Sequence, residues 1–92
     1  MPAKRREAGG SDIGRAILAY LVEHPHAQDT SEGVRQWWLG QRGIACNPDA
    51  LRPALDELVR SGLLVVIHAS DARVLYRLNT ARKDEIAAML AR

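Results

Sequence analysis

Residues 47–64 read NPDALRPALDELVRSGLL. Asn47 carries a short side-chain oxygen that can accept the orphan amides of a helix start. Pro48, at the first helical position, has no amide to leave unpaired. Leu51, Leu55, Leu58 and Val59 follow at helical spacing and make one apolar stripe. Ser61-Gly62 ends the helix, and Leu63-Leu64 lead directly into a β-type run. Pro53 is the irregularity. It removes the amide that would bond the carbonyl of Asp49, and its ring crowds that carbonyl. A loose first turn is therefore expected, or a regular helix that starts nearer Leu51. The outer face carries Asp49, Asp56 and Glu57 against Arg52 and Arg60, three acids to two bases.

Downstream lie two β-type runs, LLVVIH at 63–68 and RVLYRL at 73–78. The short polar link Ala69-Ser70-Asp71-Ala72 suits a hairpin turn. Val74, Tyr76 and Leu78 alternate with Arg73, Leu75 and Arg77, which predicts one apolar face and one mixed face. Asn79 or Thr80 then opens a last helix. Its stripe is narrow: Ile86, Met89 and Leu90, padded by Ala87, Ala88 and Ala91. A helix this short is marginal alone in water. It needs either the first helix of its own chain or the same helix of a second copy.

Upstream, Ser11 or Asp12 is a candidate cap for a first helix with Ile13, Ala16, Ile17, Tyr20 and Leu21 on one face. Pro25 disfavours helical geometry at His24, so the helix should end there. Residues 25–29 read as a loop, and Asp29 with Glu32 resembles a capping box. The second helix carries Val34, Trp37 and Trp38, with Gly40 and Gly43 at its fraying end. Ile44-Ala45-Cys46 is extended, a candidate small strand. Adjacent residues on a helix point about 100° apart. Trp37 and Trp38 can therefore both border the core, but they cannot both be deep inside it. The outer ring would suit an interface anchor.

The order helix, helix, helix, hairpin, helix resembles a winged helix-turn-helix domain of the bacterial transcription-regulator type. The likeness is sharpest at 47–64, and it spans about residues 11–80. Ser70-Asp71-Ala72-Arg73 is similar to a wing tip, and Tyr76-Arg77-Leu78 to its returning strand. The resemblance implies an α+β, mainly α fold with a three-helix core, a β-hairpin wing and a C-terminal helix. It implies a third helix in the major groove of DNA, a wing on the adjacent backbone, and frequent dimers. The chain departs from the pattern at three points. The link between the second and third helices is long, with Arg42 near a place usually apolar. Pro53 stands where a basic residue often faces DNA. The third helix is acidic on its outer face, which is unfavourable beside a polyanion.

The chain has 92 residues and a net charge of +2, a length that suggests one domain. Lys4, Arg5, Arg6 and Glu7 account for the whole excess, because the remaining residues hold ten basic and ten acidic side chains. Residues 1–10, MPAKRREAGG, read as a disordered basic arm and residues 11–92 as the folded domain. Cys46 is the single cysteine, which excludes an intramolecular disulfide and fits a reducing compartment. No apolar run approaches a membrane span, so a cytoplasmic protein is expected. His24, His26 and His68 lack the convergent partners of a metal site. No glycine-rich phosphate loop is present, and the adjacent pairs Asp56-Glu57 and Asp84-Glu85 point apart. Neither a cofactor nor an enzyme is expected.

Two functions fit these residues. The first is a small transcriptional regulator that binds double-stranded DNA through Arg35, Arg42, Asn47 and Arg52, the wing residues Arg73 and Arg77, and the arm residues Lys4, Arg5 and Arg6. The second is a protein-interaction module without DNA binding. In that reading Trp37 and Trp38, or the last helix with Ile86, Met89 and Leu90, anchor a protein partner. Pairing of the C-terminal helix with its copy in a two-fold homodimer would instead suit the DNA reading, with palindromic half-sites. A disordered arm contributes little to packing, so deleting residues 1–10 is expected to leave the melting temperature nearly unchanged. A large loss in a thermal melt would show that the arm packs on the domain.

Overall fold

In the computed structural model the described residues are 10–91; most of the arm, with Lys4, Arg5 and Arg6, lies outside them. Helix α1 spans Gly10–Glu23. Its start at Gly10 puts Asp12 inside the first turn rather than at the cap, where a carboxylate complements the helix dipole. Ile13, Ile17 and Leu21 are fully buried along one face, joined by Ala16 and Leu18. The amide of His24 bonds the carbonyl of Tyr20 at 2.9 Å, and Pro25 allows no further turn.

Residues 25–29 are more than a loop. Gln28–Asp29 form strand β1, antiparallel to β3, with Gln28 opposite Arg77 and Asp29 opposite Tyr76. The expected strand at 44–46 does not form. Strand β3 has β1 on one side and β2 on the other, so neither of its edges is left for a further strand. Helix α2 starts at Ser31–Gly33. Its cap is Thr30, one residue after the expected Asp29: Thr30 Oγ1 accepts from the amide of Gly33 at 3.2 Å. Asp29 instead accepts from the amide of Thr30 at 2.8 Å.

The continuation of α2, Val34–Leu39, widens into π-helix. The buried set is Val34, Trp38 and Leu39, not Val34, Trp37 and Trp38. In an α-helix a residue five positions on sits about 140° away around the axis. Bonding from i to i+5 brings that residue back over the first and turns the residue at i+3 away. Burying Leu39 together with Val34 thus rotates Trp37 out to 60% exposure. Trp38 is buried and stacks on Tyr20, with ring centroids 5.4 Å apart and 11° between planes.

Helix α3 spans Pro48–Arg60 without a break. Asn47 Oδ1 accepts from the amide of Ala50 at 2.8 Å, so the helix is regular from its first residue, despite Pro53. Pro53 lies on the exposed side, where water can serve the carbonyl it leaves unbonded. Leu51, Ala54, Leu55 and Leu58 are buried and Val59 is partly so. Helices α2 and α3 end alike. Gly43 and Gly62 take φ of +70° and +81°. The next amides, Ile44 and Leu63, reach back to Leu39 and Leu58, each at 3.0 Å.

Strands β2 (Leu64–His68) and β3 (Val74–Leu78) pair antiparallel, Leu64 opposite Leu78 through His68 opposite Val74. The predicted alternation holds only at the base of the hairpin, where Leu64 and Leu78 enter the core and Tyr76 packs against it. Val74, at the tip, is 38% exposed, and Leu75 is buried on the other face beside its cross-strand neighbour Ile67. A single turn of 3-10 helix, Thr80–Arg82, capped by Asn79, leads into α4, Lys83–Leu90. Ile86 is fully buried. Arg82 donates to the carbonyl of Ser61 at 2.7 Å, and Arg15 on α1 donates to the carbonyl of Leu90 at 2.8 Å. The last helix therefore packs on its own chain.

The wing turn holds one strained residue, Ala72, at φ +73°. An L side chain there costs about 1–2 kcal/mol, which glycine avoids. Ala72→Gly is expected to stabilise the fold by about 1 kcal/mol in chemical denaturation, net of the entropy glycine adds to the unfolded chain.

Candidate nucleic-acid interface

The outward arc of α3 is set by its buried stripe. With Leu51, Ala54, Leu55 and Leu58 inside, Asp49, Arg52, Pro53, Asp56, Glu57 and Arg60 are exposed. Asn47 is exposed too, but its carbonyl oxygen is engaged as the helix cap. Glu57 pairs with Arg60 at 2.7 Å and accepts from Ser61 Oγ at 3.3 Å. Arg52 stands between Asp49 and Asp56 and makes no ion pair among the described residues.

On the wing, Arg73 is tied down. Its Nε donates to Asp71 Oδ2 at 2.8 Å, and its amide donates to Asp71 Oδ1 at 3.3 Å. The guanidinium bond, helped by the amide, holds the Asp71 carboxyl below its ordinary range. Arg77 is exposed on β3 and, like Arg52, makes no ion pair among the described residues. Arg35 is bound to Glu32 one helical turn earlier. Arg42 lies 3.8 Å from Glu23, a looser pairing between the ends of α2 and α1. Of the five expected arginines among the described residues, three thus face carboxylates of their own chain, and two, Arg52 and Arg77, do not.

The residues expected at a partner interface divide in the same way. Trp38 and Ile86 are core residues and offer no surface. Trp37 is exposed, Met89 is 36% exposed, and Leu90 is half-buried against the core. Met89 and Leu90 border a groove of about 660 Å³ between α1, α3 and α4, floored by Leu18, Ala54, Leu58 and Leu63. Cys46 is half-buried before the cap of α3; burial pushes its thiol pKa up, and Arg35 opposes this more weakly. A raised pKa leaves little thiolate for chemistry. Among the described residues no three His, Cys, Asp or Glu are placed to hold a metal ion, and no helix is long and apolar enough to cross a membrane.

The Asp71–Arg73 clamp was not singled out in the sequence, though it was open to view as an acid two residues before a base in a turn. The helical pattern leaves open which tryptophan faces outward; Leu39, an apolar residue outside the α-helical stripe, is the signal that it is Trp37.

Comparison with known proteins bears on the fold. The chain is similar to H. salinarum RosR, with 23% identity and a TM-score of 0.67, over 86% of this chain and 69% of that one. It is also similar to F93 from STIV, a winged-helix DNA-binding protein, with 23% identity and a TM-score of 0.62, over 82% of this chain and 79% of that one. No protein-family model and no curated protein matches the chain. Among the described residues four helices and a small three-stranded antiparallel sheet, in this order, give the chain a winged-helix fold.

The clamp at the wing tip gives a direct test. Asp71 is expected to titrate below an ordinary aspartate in a carboxyl-detected NMR series, and Arg73→Ala is expected to raise it. The contribution of this contact to turn stability is present above the ordinary Asp pKa and is lost as pH falls through the lower folded value.

Proposed function

We propose that this winged helix is a small cytoplasmic DNA-binding transcriptional regulator. The N-terminal half of α3 enters the major groove, and the hairpin lies on the neighbouring backbone. The observation that carries this reading is that Arg52 and Arg77, on the third helix and the wing, are not held by any carboxylate among the described residues. Arg52 stands out from α3 and Arg77 from the strand of the wing, both exposed. Likeness to a winged-helix DNA-binding protein from STIV supports the same reading at the level of the fold. Asn47 serves by fixing where α3 starts. Lys4, Arg5 and Arg6 add the net positive charge that the rest of the chain lacks. Arg73, Arg35 and Arg42 reach phosphate only by exchanging an internal carboxylate for it, so they contribute less.

A second reading, a protein-interaction module, is favoured by one observation: Trp37 is turned out of the core to 60% exposure. In that reading the acidic balance of α3 is unselected by DNA, and the indole is the anchor.

Titration of random-sequence duplex at two salt concentrations separates the two. Binding that weakens with salt is expected, and each of Arg52→Ala and Arg77→Ala is expected to reduce the log–log salt slope by about 0.9. Asp71→Asn releases Arg73 and is expected to tighten binding. Absence of binding at low ionic strength removes the DNA reading and leaves the interaction module, with Trp37→Ala then expected to abolish its complex.

A further inference from the structure

We infer that the outer edge of β2 is a self-association surface, on which a second copy of this chain adds its own β2 antiparallel about a two-fold axis at Ile67. The sheet order is β1-β3-β2, so β2 is a terminal strand. The bonds Asn79 N–H to Leu63 O at 3.0 Å and Ala69 N–H to Arg73 O at 2.9 Å bracket the hairpin ladder. Odd-numbered residues of β2 therefore bond to β3, and the even-numbered ones direct their amides and carbonyls away from it. Leu64 is covered by its burial at the base of the strand, whereas Val66 and His68 lie further out, half-buried and exposed. Two residues thus present unpaired donors and acceptors along one open edge.

The other edge of the sheet is blunted, because β1 has only two residues and passes at once into the cap of α2. Strand β2 carries none of the usual protections: no lysine, no proline, no bulge and no charged side chain in LVVIH. The choice of a second copy rests on self-complementarity. With the axis at Ile67, Val66 meets His68 of the second copy twice, which satisfies both outward residues of each strand with four hydrogen bonds in all. Ile67 faces its own counterpart, and Val65, 39% exposed, faces Ala69. The face that carries Val65, Ile67 and the buried Leu75, with Arg77 opposite Val65, becomes continuous across the axis. No like charges meet, and the two His68 side chains are not opposite each other.

Sedimentation equilibrium of the full chain, with a far-UV circular dichroism check of folding, tests this. The wild type is expected to dimerise. Ile67→Lys and Ile67→Glu are each expected to weaken dimerisation by about tenfold or more, because like charges meet at the axis. An equimolar mixture of the two variants is expected to restore the dimer, which only a surface with residue 67 facing itself can do. In hydrogen exchange the amides of Val66 and His68 are expected to gain protection as concentration rises, a readout that needs no substitution. A wild type that stays monomeric overturns the proposal. So does a dimer that survives both variants, a mixture that stays monomeric, or a dimer lost on Met89→Lys instead, which would place association at α4.

Discussion

Helix α1 is the element against which the rest of the chain is built. Three of its side chains, Ile13, Ile17 and Leu21, are wholly removed from water. The helix packs on α3, on the π segment of α2, on α4 and on β3. In a chain with no phenylalanine the core is aliphatic with one buried indole, so it offers shape rather than polar specificity. The irregularities elsewhere are what fitting to this surface requires. The widening of α2 brings Leu39 into line with Val34 and Trp38, and the price is one tryptophan turned to solvent.

The legible parts of the sequence were those whose cause is local. Asn47, Pro48 and Gly62 bound α3 because a cap, a missing amide and a positive φ each act within a few residues. Pro53 was a local signal too, but tertiary packing and the strong cap hold the first turn regular. The illegible parts were set by distant partners. Two residues, Gln28 and Asp29, are too few to show a period, and they are a strand only because β3 lies beside them. The exposure of Trp37 follows from burial of Leu39 in a core that the sequence of α2 does not contain. At the wing tip, alternation fails where the hairpin extends beyond the bundle and Val74 loses its cover. The candidate site was legible in its residues but less so in its charge state: Glu32 and Arg35, and Asp71 and Arg73, stand close in the sequence, but whether each pair closes is decided by the folded geometry.

That engagement decides how the small positive charge should be understood. The net excess belongs to residues 4–7, and the charges of the remaining residues sum to zero. Within the body, Arg35, Arg42, Arg60, Arg73 and Arg82 all face carboxylates of the same chain. Exposed pairs of this kind contribute little to stability, but they lower the gain available from phosphate, since a counter-charge must be displaced first. On the proposed function, a surface whose charges nearly balance, with Arg52 and Arg77 as its cations on α3 and the wing that no described carboxylate holds, would bind duplex DNA weakly as a single copy.

Self-association at β2 changes that balance. Two copies joined through their wings would present two α3 helices and twice the number of phosphate contacts on one rigid body. Because the salt dependence of binding scales with the number of phosphates neutralised, a dimer would show about twice the slope of one domain. Its second α3 would engage at an effective concentration set by the joined sheet rather than by bulk protein. On the proposed function, a weakly charged α3 surface and an unprotected strand edge are each liabilities alone. Joined in one assembly they are complementary: the edge supplies the multiplicity that the charge of a single domain does not.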